Sequence, residues 1–217
     1  MNFSLPAATS FVAKFVRLPS QHRRMTDQAE LIYERLLVVR AQAGDEAAFA
    51  ELVERFSPRL RYFLRKLLGA SCRERPPWRS DEAEDALQDV WLDVFRNLPR
   101  LADPQALVAW LYRIARDRAF GRLRKARRIE QQFDETLVVD TAAADEGDFS
   151  PEDAAHIHTA LDELPPEQRE VLVLRFLEDM SYEQIARVIG CQLGTVRSRL
   201  HYGKRALKSA LEKDRHS

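Results

Sequence analysis

Apolar residues recur along most of the chain with the spacing of an α-helix. The clearest run has apolar side chains at i, i+3, i+4, i+7, i+8 and i+11, namely Leu87, Val90, Trp91, Val94, Phe95 and Leu98. This spacing predicts an amphipathic helix with one buried stripe, and Pro99 is expected to end it. No alternating pattern of useful length indicates a strand. The sequence therefore predicts an all-α protein.

Two more helices are predicted around this one. Asp45 is a suitable N-cap for a helix whose apolar stripe begins at Phe49. Ser57-Pro58 is expected to restart or kink that helix, because proline suits a first turn. Residues 69–80 contain Pro76-Pro77 and are predicted to form a loop. A later helix is expected over residues 104–125, with an inner face formed by Leu107, Leu111, Ile114 and Ala115.

A second group of helices is predicted after residue 150. Ser150-Pro151 provides an N-cap followed by a first-turn proline, and Pro165-Pro166 starts the next helix. Ser181 and Gln184 form an S-x-x-Q capping box that opens a short helix, and Gly190 is expected to end it in the left-handed conformation. The inner face of the final helix is predicted to contain Val196, Leu200, Gly203 and Leu207.

Charge is strongly patterned although the formal net charge is zero. Eight basic residues and one acid lie between Arg113 and Arg128. Nine acids and no Lys or Arg lie between Glu130 and Asp153. Seven basic residues and two acids follow over residues 193–215. Two basic zones thus flank an acidic spacer, which indicates two cationic surfaces on one chain.

The stretch from Ser181 to Leu207 predicts a helix-turn-helix, in which a partner helix holds a basic rod of a size that enters the major groove. Arg197 offers a bidentate fork to guanine, while Lys204 and Lys208 suit phosphates. A solvated basic helix that ends a small bundle is the alternative interpretation. The outward face is expected to contain Arg197, Ser198, His201, Tyr202 and Arg205.

The basic stretch before the acidic spacer supports two interpretations. Arg113, Arg116, Phe120 and Arg124 share one helical face, with Asp117 among them. Cations that track a phosphate backbone and an aromatic ring that stacks on an unpaired base would bind single-stranded DNA. Alternatively, the aromatic residues belong to the core and the arginines are only solvated. Periodicity leaves both interpretations open.

Carboxylates cluster at the start of the central helix, at Asp81, Glu82, Glu84, Asp85 and Asp89. A divalent metal site is one interpretation, and a helix N-terminus that favours negative charge is another. Asp85, Gln88 and Asp89 form a polar ridge beside the apolar stripe, which favours a surface for a partner protein.

The remaining chemistry argues against an enzyme with a cofactor. There is no nucleophile elbow, phosphate-binding glycine loop or metal-ligand spacing, and His156 and His158 point in different directions on a helix. Cys72 and Cys191 form no CxxC pair, which favours a reducing cytoplasm. No apolar run is long enough to insert into a membrane.

Domain boundaries follow from these patterns. We expect an N-terminal extension over residues 1–40, partly disordered, and a first domain over 41–128. A flexible linker is expected over 129–149, and a second domain over 150–213. Residues 1–24 resemble a targeting segment in having apolar and basic residues without an acid, but they lack a long apolar core. The interpretations are a disordered extension or a translation start at Met25.

Three stretches, taken together, resemble the extracytoplasmic-function branch of the sigma-70 family. Residues 83–91 (AEDALQDVW) are similar to its polymerase-binding helix, and residues 110–115 (WLYRIA) to the start of the element that melts the −10 segment. Three further stretches are similar to the region of the family that reads the −35 element, namely residues 164–171 (LPPEQREV), 181–186 (SYEQIA) and 194–200 (GTVRSRL).

The resemblance implies a role for each surface. Core RNA polymerase would be bound through its β′ clamp helices and its β subunit, and the polymerase-binding residues would be Asp85, Gln88, Asp89 and Leu92. The displaced non-template strand at −10 would be held by Arg113, Arg116, Asp117, Phe120 and Arg124. The −35 duplex would be read by Thr195, Arg197, Ser198, His201, Tyr202 and Arg205.

The resemblance also implies partners and location. The linker would pass through the polymerase, an anti-sigma factor would cover these surfaces, and the protein would be cytoplasmic and associated with the nucleoid in the holoenzyme. No cofactor or catalysis is implied. Asp117, Gly121, Tyr202 and Gly203 depart from the family, which often has Asn, Asp, Arg and Ala there. The competing hypotheses are a sigma mimic that titrates an anti-sigma factor and a stand-alone helix-turn-helix regulator.

Overall fold

The protein is helical throughout the part that the computed structural model describes, which is residues 24–69, 82–130 and 151–214. These residues contain no strand, so the all-α prediction is confirmed. The expectations for residues 1–23, for the loop after Gly69, for residues 131–149 of the linker and for the Ser150 cap lie outside the described residues. Residues 129–130, which were expected to begin the linker, are the last residues of a helix. The helices are α1 (Arg24–Gln42), α2 (Glu46–Gly69), α3 (Glu82–Asn97), α4 (Leu107–Glu130), α5 (Pro151–Asp162), α6 (Pro166–Phe176), α7 (Tyr182–Ile189) and α8 (Leu193–Asp214).

The chain divides into two compact units at Leu52–Val53. In the first unit, Asp45 caps α2, and its Oδ1 accepts a hydrogen bond from the Ala48 amide at 3.1 Å, as predicted. The Ala48 amide and the Arg40 guanidinium, 2.6 Å from Oδ2, hold the pKa of the Asp45 carboxyl below its usual value. Gly44 supplies the left-handed turn before this cap with φ of 91°.

In the second unit, α2 continues through Pro58 as one helix. The predicted restart is therefore absent. The Ser57 hydroxyl donates to the Val53 carbonyl at 2.6 Å and accepts the Trp91 indole N–H at 3.0 Å. This pair of bonds fixes α3 beside the proline-containing turn of α2.

The first module consists of α2 from Val53 together with α3 and α4. Its core also includes Tyr112, a buried residue that the predicted stripe omitted and whose ring packs edge-on against Phe63 at 5.1 Å. Pro99 lies in a short 3-10 turn after α3, and Asp103 caps a second such turn before α4. The buried apolar side chains include Phe56, Leu60, Phe63, Leu64, Leu87, Val90, Val94, Leu107, Leu111 and Ala115.

The second module consists of α5 to α8. The predicted capping box is present, because the Ser181 hydroxyl accepts from the Gln184 amide at 3.2 Å and the Gln184 side chain accepts from the Ser181 amide at 2.8 Å. Gly190 ends α7 with φ of 68° and ψ of 41°, the predicted left-handed conformation. Helices α7 and α8 therefore form the helix-turn-helix that the sequence predicts.

Gly203 lies where α8 comes close to α6. A Cβ atom at this position would lie 3.3 Å from Leu172 Cδ1 and 3.4 Å from Gln168 Cβ. The glycine thus permits a close helix contact, which gives a packing reason for a residue that helix propensity disfavours. Val196 and Leu200 are buried on the same side of α8, as predicted.

Arg169 connects the two modules from inside. Its side chain is 1% exposed and donates to the carbonyls of Leu161 at 2.7 Å, Asp162 at 3.0 Å and Leu164 at 2.7 Å, all near the end of α5. A fourth bond, of 2.7 Å, reaches the Lys66 carbonyl in α2. One buried guanidinium therefore satisfies carbonyls from both modules, which matches its fork of donors. No described helix is long and apolar enough to cross a bilayer.

Candidate nucleic-acid interface

The outer face of α8 is exposed along its length. Thr195, near the helix N-terminus, is half-buried, and its carbonyl accepts a hydrogen bond from the Ser198 hydroxyl at 3.0 Å. The side chains predicted to face outward are all exposed, namely Arg197, Ser198, His201, Tyr202 and Arg205, and so are Lys204 and Lys208. The face offers two guanidinium groups and several uncharged donors to a ligand outside the protein.

Neighbouring cations on α8 have partners within the second module. Arg199 lies 3.0 Å from Glu167 of α6, and the Lys204 ammonium lies 5.3 Å from the centre of the Phe176 ring. These contacts fix the rotation of α8 about its axis. The outward direction of Arg197 is thus supported by the Arg199–Glu167 pair on the opposite side of the helix.

The basic side chains of α4 differ in their surroundings. Arg113 and Arg124 are exposed, and so is the acidic Asp117 between them. Arg116 is half-buried, lies 4.6 Å from the centre of the half-buried Phe120 ring, and its Nε donates to Glu170 of α6 at 2.7 Å. Burial raises the pKa of the Glu170 carboxyl, against the opposing effect of Arg116. The predicted strand-binding face is therefore partly occupied by a carboxylate of the second module.

Two further arginines of α4 hold α3 in place. Arg118 Nε donates to Asp93 at 2.5 Å, and Arg122 lies 2.6 Å from Asp89 and 3.8 Å from Asp85. The polar ridge of α3 is thus partly neutralised inside the first module. The basic stretch of α4 serves internal pairing as well as any external ligand.

The surface of α3 combines polar and apolar side chains. Asp85 and Gln88 are exposed, Asp89 is half-buried, and Leu92 is 52% exposed. Phe95 was expected in the buried stripe, but it is 65% exposed, so this part of the prediction was wrong. Its place at the edge of the stripe, three residues after Leu92, explains the difference. Adjacent exposed apolar residues are typical of a protein-binding surface.

An open cleft of about 410 Å³ lies between the end of α3 and the start of α4. Its walls combine side chains of both helices with the turn between them, so helical periodicity does not predict it. Trp110 and Arg100 supply an indole and a guanidinium, both able to stack on a base. The lining residues are Asp93, Asn97, Arg100, Leu101, Ala102, Trp110 and Ile114.

The acidic and histidine clusters do not converge on a metal site. Within the described ranges, no three His, Cys, Asp or Glu side chains lie together in a way that would hold a metal ion. His158 instead lies 2.7 Å, through Nδ1, from the Tyr62 hydroxyl. The side chains of Asp81 and His156 lie outside the described set.

Family comparisons agree with this arrangement of modules. The Sigma-70 region 2 family matches residues 52–129, and the Sigma-70, region 4 family matches residues 155–207. The chain is 34% identical over 189 residues to the RNA polymerase sigma-H factor of Pseudomonas aeruginosa, covering 81% of this chain and 92% of that relative. It is 33% identical over 180 residues to the ECF RNA polymerase sigma factor SigE of Mycolicibacterium smegmatis, covering 78% and 65%.

A solved structure has the same fold. The sigma factor RpoE in complex with the anti-sigma factor NepR, from Bartonella quintana, is 27% identical, with a TM-score of 0.64 over 76% of this chain and 96% of that one. A helical module joined to a helix-turn-helix module thus defines a transcription initiation factor of the sigma-70 class. The chain belongs to the extracytoplasmic-function sigma factors, which bind core RNA polymerase and direct promoter recognition.

Proposed function

We propose that the two modules divide the work of initiation, and that the chain itself catalyses no reaction. The second module reads the −35 duplex through α8, while the first module binds polymerase through α3 and holds the open −10 strand through α4. The observation that supports this most strongly is the exposed face of α8, whose inner side is packed and paired. An exposed arginine on a helix of this kind is suited to a guanine edge in the major groove.

The −35 role is tested with Arg197→Ala. We expect run-off transcription to lose its preference for the matching −35 sequence over an altered one, since a bidentate contact contributes about 1–3 kcal/mol of discrimination. Arg187→Ala removes the same charge from an exposed site on α7 and is the matched control. A loss of polymerase affinity with unchanged −35 preference would contradict the assignment.

We assign the polymerase role to the mixed surface of α3, formed by Asp85, Gln88, Asp89 and Leu92, and we include Phe95 because it is exposed beside Leu92. We expect the double variant Asp85→Ala, Gln88→Ala to reduce binding to core polymerase in a pull-down on β′. The exposed pair Gln105→Ala, Glu163→Ala is the control. Co-purification at the wild-type level would exclude this surface.

The melting role belongs to α4 and the cleft beside it. Unstacking a base step costs a few kcal/mol, and an aromatic contact returns about 1–3 kcal/mol per base. We expect Phe120→Ala to lower transcription from a duplex promoter and to be rescued by a promoter that is already unpaired at −10. Equal losses on both templates would place Phe120 outside the melting step.

We also propose that an anti-sigma factor regulates the protein and that it acts in the cytoplasm. An anti-sigma factor is the expected partner, since the Bartonella relative is bound to one, and the expected location is the cytoplasm, with the nucleoid in the holoenzyme. Run-off transcription with purified core polymerase, with and without this protein, separates the sigma-factor hypothesis from the two competing ones. A sigma mimic and a stand-alone regulator would both leave the polymerase inactive at the promoter.

A further inference from the structure

A row of ion pairs joins α3 to α4 at one edge of the surface assigned to polymerase. Asp85, Asp89 and Asp93 lie at i, i+4 and i+8 on α3, so their side chains share one side of that helix. Arg122 of α4 lies 2.6 Å from Asp89 and 3.8 Å from Asp85, and Arg118 Nε donates to Asp93 at 2.5 Å. A single guanidinium therefore lies beside both acids of the assigned surface.

A second set of ion pairs lies at the other edge of the same surface and joins α3 to α2. Glu84 accepts a hydrogen bond from Arg61 Nε at 2.5 Å, and Arg65 lies 3.6 Å from the same carboxylate oxygen. Gln88 and Leu92 lie on the strip of α3 between the two edges, and both are exposed. The surface thus has an arginine on each side, but only Arg122 pairs with acids that belong to it.

The contacts of Arg122 leave both acids available to a partner protein. They end on the Oδ2 atoms of Asp85 and Asp89, and no described residue pairs with the Oδ1 atoms. The two acidic side chains are 60% and 39% exposed, respectively. A carboxylate accepts several hydrogen bonds at once. Each acid is therefore able to keep Arg122 while it binds a cation of another protein.

A pair of this kind fixes the direction of a side chain without hiding it. Ordering a mobile side chain at an interface costs free energy when the partner binds. Arg122 holds Asp89 in place before binding, and this reduces the cost. Because the pair is partly exposed, it contributes little to the stability of the fold. We therefore expect its main effect on the affinity for a partner.

We propose that Arg122 is a positioning residue for polymerase binding. It orients the carboxylates of Asp85 and Asp89 and acts through them, without contacting polymerase itself. The inference rests on the proposed function, which assigns these two acids to polymerase. Arginine suits the role because its planar fork directs separate N–H groups toward two acceptors, whereas the lysine ammonium is a compact point charge.

The test measures the dissociation constant of the full-length chain for purified core polymerase. No DNA is present, so a promoter contact cannot contribute. Arg122→Ala is expected to weaken binding about three- to tenfold, as expected when one or two interface side chains lose their order. Arg122→Lys keeps the charge without the fork and is expected to recover only part of the affinity.

Arg61→Ala is the matched control. It breaks a pair of similar exposure between α3 and a neighbouring helix, but the acid in that pair, Glu84, lies outside the assigned surface. We expect this variant to bind polymerase like the wild type. Urea unfolding is expected to show similar, small losses of stability for Arg61→Ala and Arg122→Ala. A stability effect would then not explain a difference in affinity between them.

A double-mutant cycle shows whether Arg122 acts through the two acids. Asp85→Ala with Asp89→Ala is expected to weaken polymerase binding. Adding Arg122→Ala to this variant is expected to change the affinity little further, because the groups that the arginine orients are gone. An additive loss would overturn the inference, since it would mean that Arg122 contacts polymerase directly.

The remaining outcomes distinguish the inference from the proposed function. If Arg122→Ala bound polymerase as tightly as the wild type or more tightly, while loss of the two acids weakened binding, the surface would stand and the positioning role would be wrong. If loss of the two acids left the affinity unchanged, the proposed function would fail for these residues, and the inference would fail with it.

Discussion

Helices α4 and α8 are both rich in arginine, but they use it differently. On α8, Arg197 and Arg205 are exposed. On α4, Arg116 and Arg122 pair with carboxylates of α6 and α3, respectively. Arginine thus points outward at some positions and pairs internally at others, and internal pairing is more frequent on α4, although Arg113 and Arg124 of α4 are exposed and Arg199 of α8 pairs with Glu167. Distant carboxylates decide between the two uses, and charge density along the helix does not.

The largest expected loss of stability follows from replacing the buried Arg169. Arg169→Met keeps the length of the side chain but leaves four backbone carbonyls without their donor. We expect the free energy of unfolding to fall by about 3 kcal/mol, because unsatisfied buried groups are costly. Urea unfolding measures this, with the exposed Arg187→Met as control. A change below about 0.5 kcal/mol would show that these bonds contribute little.

The glycines of the two helices provide the next comparison. Gly121 of α4 has no atom within 4 Å of an added Cβ, so Gly121→Ala is expected to stabilise the protein by about 0.5–1 kcal/mol. Gly203→Ala on α8 meets Leu172, and we expect overpacking to outweigh the gain in helix propensity, with a net loss of about 1 kcal/mol. Thermal unfolding measures both variants. Equal gains would mean that Leu172 moves aside freely.

A smaller difference in the free energy of unfolding is expected between variants at a paired arginine and at an exposed one. Arg122→Ala is expected to lower the free energy of unfolding by about 0.5–1 kcal/mol, and less in high salt, because its pair is partly exposed. Arg205→Ala is expected to leave stability within about 0.5 kcal/mol while reducing the salt dependence of DNA binding. If both variants lost the same stability, the contrast between α4 and α8 would be unsupported.

The smallest expected effect is the pH dependence of the free energy of unfolding that His158 causes. Burial, and then the nearby Lys66 ammonium, lower the pKa of His158 from its ordinary value of 6.5. The stability that this neutral ring provides is present above pH 6.5 and is lost as the pH falls through and below that value. The raised pKa of Glu170 acts in the opposite direction, because protonation stabilises its buried form.

This pH effect is measured by comparison with His158→Gln. We expect the loss of unfolding free energy between about pH 7.5 and 5.5 to be smaller in the variant, by less than about 0.5 kcal/mol because solvent screens the half-buried ring. Unfolding in urea across this range gives the difference. Identical pH profiles would show that His158 titrates alike in the folded and unfolded chains.

Features set by neighbouring residues were predictable from the sequence. The Asp45 cap, the Ser181 capping box and the left-handed Gly190 depend on a few adjacent positions, and all three are present. The outward face of α8 followed from helical periodicity, because Val196 and Leu200 mark the buried side.

Features set by distant residues were not predictable. Arg116 meets Glu170 across 54 positions, and no local pattern indicates that pair. Phe95 lies at the edge of an apolar stripe, where periodicity alone does not separate a core residue from a surface one. Gly203 looked unfavourable by helix propensity, since its reason lies on α6. The cleft near Trp110 depends on how α3, α4 and the turn between them pack together, which the periodicity of either helix does not predict.

The bond between the Trp91 indole and the Ser57 hydroxyl gives the protein a built-in optical reporter. The emission maximum of an indole shifts to longer wavelength when water enters its surroundings. The emission maximum of Trp91 therefore reports whether the contact between α2 and α3 is intact. With Trp78 and Trp110 replaced by Phe, a single emitter would remain beside the surface assigned to polymerase. Loosening of the α2–α3 junction in the free protein would then be visible in solution without any added dye.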